Sequence, residues 1–427
     1  MPLGGVALFV IETAVLVLCA GAAQRLLAPV GSAHALFAAI FATCAVQALF
    51  YLADLYHVAV AHRDAREGSR LLGALGTACA VAAPAALIVP SAQRAHMVAA
   101  VIAAAAGAAA LRSLAPLASL KRRIVVVGEG RIFEALRREL DASGDVEILA
   151  VASPRQLEGT FIDRVRALGA QSIVVACDDR RGLDSQALLA CRLAGVEVFE
   201  AAAWVERTAR KLPVDLLQPA QLIYDDGFFR SRVSDGLRRC LSLAAALVLL
   251  VLSLPVAVVV ALAIRFDSPG PVLYRQRRVG RGGRVYTLNK FRTMRTDAEA
   301  QTGAVWALSG DPRVTRVGAV LRRSRLDELP QLLNVLLGDM DLVGPRPERP
   351  EFVATLRQKI PYFDVRALVR PGLTGWAQIC YRYGASLEDA RHKLGFDLYY
   401  VKHASPLLDA IVLFHTAKVV LTGRGAR

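Results

Sequence analysis

Four long apolar stretches fill the first 115 residues, at 4–22, 33–61, 71–90 and 95–115. Each supplies the ~20 apolar residues that a helix needs to cross the hydrocarbon core, so the pattern predicts four transmembrane helices over residues 1–118. Arg63, Arg66 and Arg70 follow the second stretch, and Lys121, Arg122 and Arg123 follow the fourth; the other two loops hold only Arg25 and Arg94. By the positive-inside rule, the N-terminus and everything after residue 120 then face the cytoplasm. The first stretch lacks a basic n-region and reads as an anchor, not a signal peptide. Asp54 falls near the cytoplasmic end of the second stretch and is assigned no role.

Residues 119–212 change period. Ile124–Val127, Val146–Val151, Ser172–Ala176 and Val196–Phe199 read as buried strands with helical segments between them, a small Rossmann-like, CoA-binding-like α/β domain. Its nucleotide fingerprint is incomplete. Gly128-x-Gly130 is present, but Phe133 stands at the third glycine position, and the second strand ends in Ala150-Val151-Ala152-Ser153 without the acidic residue that would hold a ribose. The domain therefore reads as scaffolding or regulatory, with dinucleotide binding as the weaker alternative. Residues 213–235, polar and aromatic by turns, read as a linker.

A fifth apolar stretch, Leu241–Ile264, opens the C-terminal segment 236–427. As a helix it is ~36 Å long, enough to span. Yet Arg230, Arg232, Arg238 and Arg239 precede it and Arg265, Arg275, Arg277 and Arg278 follow it, so both flanks favour the cytoplasm. Pro255, two residues after Ser253, removes a helix hydrogen bond near the middle. A re-entrant hairpin broken at Ser253 and Pro255 satisfies both facts. The last apolar stretch, Leu407–Leu421, is interrupted by Asp409, His415 and Lys418 and reads as an interfacial or buried domain helix.

Composition agrees with a membrane protein. Hydrophobic residues make up 55% of the 427, too many for an ordinary soluble chain. The net charge of +15 comes without any recognisable nucleic-acid module, so an anionic bilayer surface and phosphorylated substrates account for it better. The seven cysteines show no C-x-x-C pair, and Cys19, Cys44 and Cys79 sit in apolar stretches, so free thiols are expected.

The chemistry concentrates at Leu326-Asp327-Glu328-Leu329-Pro330, ahead of Gly344-Pro345-Arg346-Pro347. Ser324 or Asp327 could cap a helix there, with Pro330 in its first turn, Leu329, Leu332, Leu333 and Leu336 as the buried stripe and Gly338 as the stop. Around this pair stand Asp267-Ser268-Pro269-Gly270-Pro271, Tyr274-Arg275-Gln276, Arg278-Val279-Gly280, Lys290-Phe291-Arg292-Thr293-Met294, Arg370-Pro371-Gly372-Leu373-Thr374-Gly375-Trp376-Ala377-Gln378 and Asp397-Leu398-Tyr399-Tyr400-Val401-Lys402. In this order they resemble the bacterial sugar transferases, the monotopic phosphoglycosyltransferases that place a phosphosugar on polyprenyl phosphate. The four helices and Rossmann-like domain ahead of them resemble the long exopolysaccharide-type members.

The resemblance implies a mostly α catalytic domain, on the cytoplasmic side of the bacterial inner membrane, with a re-entrant membrane helix. It implies that Asp327 attacks a UDP-sugar, releases UMP and holds the phosphosugar covalently until undecaprenyl phosphate displaces it. Glu328, with Asp327, would hold Mg²⁺. Arg322 and Arg346 occupy phosphate-binding positions, with Lys290 and Arg292 adding charge. Arg325 and Ala404-Ser405-Pro406 depart from the commonest pattern and, with the segment Cys380–Ser386, leave the sugar open: glucose and galactose are the usual first sugars, and N-acetylated sugars are also known among relatives. A homodimer is compatible with the bundle and Rossmann-like surfaces. Two other readings stay open: a membrane-anchored nucleotide-sugar dehydratase, for which Tyr286…Lys290 is the only Tyr-x-x-x-Lys spacing, and a non-catalytic assembly or regulatory subunit.

Overall fold

The computed structural model describes residues 122–298 and 311–422, apart from short gaps at 144–145, 155–156, 158–160, 229–230, 382–383 and 385, together with isolated earlier positions. The four predicted transmembrane segments, with Asp54, Cys19, Cys44 and Cys79, lie outside the described residues.

The α/β segment alternates as expected: β1 (Arg122–Val127), α1 (Arg131–Ser143), β2 (Val146–Ala152), α2 (Phe161–Ala167), β3 (Ser172–Val175), α3 (Ser185–Leu193) and β4 (Glu197–Glu200). The sheet order is β2-β1-β3-β4, with β1 and β2 parallel. Ile124 to Val127 and Ile173 to Val174 are almost fully buried, which is why these strands read as unbroken aliphatic runs. At the start of α1 the carboxylate of Asp178 accepts from the backbone N–H groups of Arg131 (2.6 Å) and Ile132 (3.1 Å). A helix N-terminus after the first strand is where a Rossmann domain seats a phosphate. Here the protein's own carboxylate takes that place.

The stretch read as a linker carries α4 (Ala201–Ala209) at its approach and α5 (Pro219–Tyr224) within it. Leu212, Val214 and Leu216 are buried, and Leu212 N–H donates to Gly395 O (2.9 Å). Lys402 is held between Glu206 (2.9 Å) and Asp225 (2.7 Å). These contacts seat residues 199–228 on the C-terminal elements.

The apolar helix α6 spans Arg232–Asp267, about 54 Å at 1.5 Å per residue. Among the described residues it alone is long and apolar enough to cross a membrane. The expected break is corrected: α6 runs unbroken through Ser253 and Pro255. A single proline removes one intrahelical bond, here to Val251 O, which a long helix absorbs by bending. The Ser253 hydroxyl donates to Leu250 O (3.1 Å).

One stripe of α6 is covered along most of its length. Ser242, Ala246, Val260 and Ile264 are buried, with Leu250, Ser253 and Ala257 partly so between them. Steps of three and four keep them on one helix face. The opposite face exposes Leu247, Val248, Leu252, Val259 and Leu262. Near its start, Arg238 pairs with Asp409 (2.8 Å) and donates to the Tyr400 hydroxyl, and Arg239 donates to Val335 O, Met340 O and Asp341, each at 2.7 Å.

The rest of this unit follows as an antiparallel hairpin β5 (Leu273–Val279) and β6 (Val285–Phe291), then α7 (Arg316–Ser324), α8 (Gln331–Leu337), β7 (Asp341–Val343), α9 (Pro350–Lys359), β8 (Gly372–Thr374), α10 (Trp376–Cys380), α11 (Leu387–His403) and α12 (Pro406–Thr422). Strands β7 and β8 pair in parallel. Leu288, Leu332, Val335, Met340, Leu342, Trp376 and Tyr400 form the main core, which Ala246 of α6 joins. Helix α12 buries Val412 and exposes Leu407 and Phe414.

Asp178→Ala should cost about 1 kcal/mol, the usual worth of an N-terminal cap. Amide hydrogen exchange in the first turn of α1 should quicken accordingly; unchanged protection would show that the carboxylate does not hold this helix end.

Candidate active site

Asp327 and Glu328 are both buried, and they lie in a 3₁₀ turn, Leu326–Glu328, between α7 and α8. The turn exists because the chain cannot run straight from one helix to the next. Arg325 adopts the left-handed conformation (φ 60°), and Pro330 sits immediately ahead of α8. The expected caps are corrected. Ser324 bonds back to Val320 O (2.9 Å) and Leu321 O (3.2 Å), closing α7, and Asp327 makes no capping bond. The buried face of α8 is Leu332 and Val335, whereas Leu333 is 43% exposed, because Pro330 splits the expected single helix into two short turns and shifts its phase. Gly338 ends α8 as expected (φ 97°).

Three cations converge on Oε1 of Glu328: Arg346 at 3.0 Å, Arg325 at 3.4 Å and Lys290 at 3.5 Å. Burial alone would raise the Glu328 pKa, but Arg346, Lys290 and Arg325 outweigh it and hold the carboxyl down at about 2. Asp327 moves the other way. Burial raises it, the Glu328 charge adds to that, and Lys290, Arg346 and Arg325 oppose. Burial lowers the Lys290 ammonium, with Glu328 resisting. One carboxylate is thus fixed as an anion, and its neighbour is left the more basic of the two.

Lys290 reaches the pair because Asn334, on α8, locks the two elements together. Its Oδ1 accepts from Asn289 N–H (3.0 Å) and its Nδ2 donates to Thr287 O (2.7 Å). Arg346 is held by its backbone. Four successive carbonyls are each bonded: Pro345 O to Gly372 N–H (3.0 Å), Arg346 O to Arg366 (2.7 Å), Pro347 O to Arg278 (2.8 Å) and Glu348 O to Val279 N–H (3.0 Å). The glycines of this region permit the packing. A Cβ on Gly344 would meet Arg370 O at 2.4 Å, and one on Gly372 would meet Gly344 N at 2.0 Å.

The other expected residues lie elsewhere. Arg292 is buried and donates to Ser268 O (2.7 Å), Ser268 Oγ (2.9 Å) and Pro269 O (2.8 Å), clamping the turn after α6. Arg322 acts electrostatically on Asp311, which Arg313 chiefly holds down at about 2, and among the described residues it is not bonded to the acidic pair. Arg325, Arg278 and Asn334 were not singled out for the site by their residue types. Arg325 had adjacency as its signal, and Arg278 stood within a quoted motif.

The pair also suits a small hard cation, which takes one or two carboxylates and completes its shell with water and phosphate. Among the described residues no cluster of three or more acidic, His or Cys ligands forms, so Asp327 and Glu328 themselves would be the donor set. Tyr286 and Lys290 both lie on β6, where four residues of extended chain separate them by about 13 Å. That spacing does not make a joint acid–base pair.

Residues 233–423 match the family model for bacterial sugar transferases. The UDP-N-acetylgalactosamine-undecaprenyl-phosphate N-acetylgalactosaminephosphotransferase of Aeromonas hydrophila is 41% identical over 250 residues, 58% of this chain and 58% of that one. The exopolysaccharide production protein PSS of Rhizobium leguminosarum is 41% identical over 195 residues, 44% of this chain and 98% of its own length. A UDP-glucose:undecaprenyl-phosphate glucose-1-phosphate transferase of Caulobacter vibrioides is 42% identical over 214 residues, 49% and 80% respectively. The aligned part of this chain thus spans less than two thirds of the Aeromonas protein and nearly all of the Rhizobium one.

Glu328→Ala would leave Lys290, Arg325 and Arg346 crowded with one counter-charge gone. Removing one partner of a buried charge cluster costs about 3–5 kcal/mol. The thermal midpoint should fall, and millimolar inorganic phosphate should recover part of the loss by replacing the anion. An unchanged midpoint would mean that the three cations do not depend on this carboxylate.

Proposed function

The chain belongs to the bacterial sugar transferase family, and on that premise we propose that it transfers a sugar 1-phosphate from a UDP-sugar to undecaprenyl phosphate, releasing UMP. The observation that carries this is the buried acidic pair with three cations on Glu328. Joining two phosphorylated substrates brings several negative charges together, and a site with excess fixed positive charge stabilises them. Asp327 is the nucleophile. Its carboxylate oxygen forms a bond to the sugar-bearing phosphorus, the bond to the UMP oxygen breaks, and an aspartyl phosphosugar remains. An oxygen of the lipid phosphate then attacks the same phosphorus and frees Asp327. Raised basicity makes Asp327 the better nucleophile, while Glu328 anchors the cations. Arg346 presents a planar fork to phosphate oxygens, and Lys290 a point charge. Mg²⁺, held by Asp327 and Glu328, would neutralise charge on the diphosphate.

The same reading covers topology. The covered stripe packs on the catalytic elements near both ends of α6, so both ends stay on the membrane face where those elements lie. The helix enters the lipid by its exposed apolar face and does not cross. The arginines flanking it support a cytoplasmic position for that face.

Asp327→Asn should abolish exchange of labelled UMP into UDP-sugar in the absence of lipid acceptor, a reaction that chelation with EDTA should also stop. Substantial exchange in the variant would remove Asp327 as nucleophile. A panel of UDP-glucose, UDP-galactose and UDP-N-acetylgalactosamine, read as UMP release, identifies the sugar.

For topology, single cysteines at positions 231 and 281 in a cysteine-free background should both resist an impermeant thiol reagent in intact cells. Labelling of one site alone would mean that α6 spans.

A further inference from the structure

Prolines flank Arg346, so neither neighbour has an N–H to tie the turn down. Its anchoring falls to carbonyls. The carbonyl of Arg346 itself accepts from Nη2 of Arg366 at 2.7 Å. That same nitrogen lies 2.8 Å from Oδ2 of Asp397, and the guanidinium sits over the Phe363 ring at 5.2 Å. Asp397 is 3% exposed on α11, more than 30 residues along the chain from Arg366. We infer that Asp397 and Arg366 are positioning residues for the transfer: they fix the backbone of Arg346 and so aim its guanidinium at Glu328 and the substrate phosphates. This rests on the phosphosugar-transfer reading above.

Stability does not explain the carboxylate. Burial pushes the Asp397 carboxyl up to about 6, with Arg366 opposing, Glu348 adding and Lys393 opposing. These three are the charged groups that face it, from the segment before β8, the turn after β7 and its own helix. A raised carboxyl pKa means that the ionised form is disfavoured in the fold. The penalty is therefore present above about pH 6 and fades as pH falls towards the ordinary carboxylate value. A buried ion pair replaced by apolar side chains of similar volume is often as stable or more so. What the pair supplies is a fixed partner for one carbonyl.

The test uses full-length protein in lipid nanodiscs carrying Asp397→Leu with Arg366→Met. The thermal midpoint should match or exceed wild type, while UMP release falls about tenfold to a hundredfold, the scale of a misplaced binding group. On an Arg346→Lys background the same two substitutions should cost less than about threefold more, because they act through Arg346; on a Lys290→Arg background the full loss should recur. Wild-type turnover in the doubly substituted protein, or the full loss repeated on Arg346→Lys, overturns the inference. If that protein does not fold, Asp397→Asn goes through the same cycle under the same criteria. Amide hydrogen exchange across residues 342–349 should also quicken, and unchanged exchange would overturn the clamp without reference to catalysis. A wild-type protein that releases no UMP from any UDP-sugar would sink the functional reading, while exchange still judges the clamp.

Discussion

Positive charge held in excess around two buried carboxylates is the constraint that organises the C-terminal unit. Lys290, Arg325 and Arg346 come from three different places in the chain, and each repels the others unless Glu328 stands between them. A strand, a turn and a loop must therefore be pinned before the site can exist. Asn334 pins the strand, the left-handed Arg325 and Pro330 shape the turn, and the bonded carbonyls pin the loop. The arrangement is costly for folding and suited to binding anions, the balance expected of a functional site.

Much of this was legible in the sequence, for a physical reason. Residues that touch the acidic pair, such as Lys290 and Arg346, stand within short runs whose residue types admit few substitutes: glycines where backbones meet at van der Waals distance, prolines that fix φ. Arg292 was misplaced because charge type says nothing about direction. It lies two residues beyond Lys290, just past the end of β6, where the side chain turns back to the end of α6. Arg366 gave no signal at all, since a partly buried arginine bonded to a carbonyl looks in sequence like any surface arginine. The α8 boundary was misread because Pro330 was taken as a first-turn residue when it stands just ahead of the helix.

The Rossmann-like segment shows the opposite case. Its strand pattern was plain and its fold followed, but the missing fingerprint acquired a structural meaning only with Asp178. A carboxylate on the helix end does the work that a bound phosphate does elsewhere, satisfying orphan donors at the N-terminus. The architecture is kept, and at this helix end a carboxylate of the chain itself takes the first donors.

Leu329 belongs at once to the main core and to the cluster that Val260 and Ile264 of α6 build with Phe291 and Leu321, and Leu326 joins the second of these. These two leucines bracket Asp327 and Glu328 in the chain. On the proposed mechanism, the nucleophilic carboxylate is thus mounted on α6 itself through these two leucines. If α6 lies in lipid as proposed, the carboxylate settles as deep as the helix does, and the altitude of the chemistry above the plane of lipid phosphates is set by the same side chains that set how far the helix sinks. A lipid-borne acceptor of the proposed kind would not rise far from that plane, and a centre fixed at constant altitude would meet it without having to search along the third dimension.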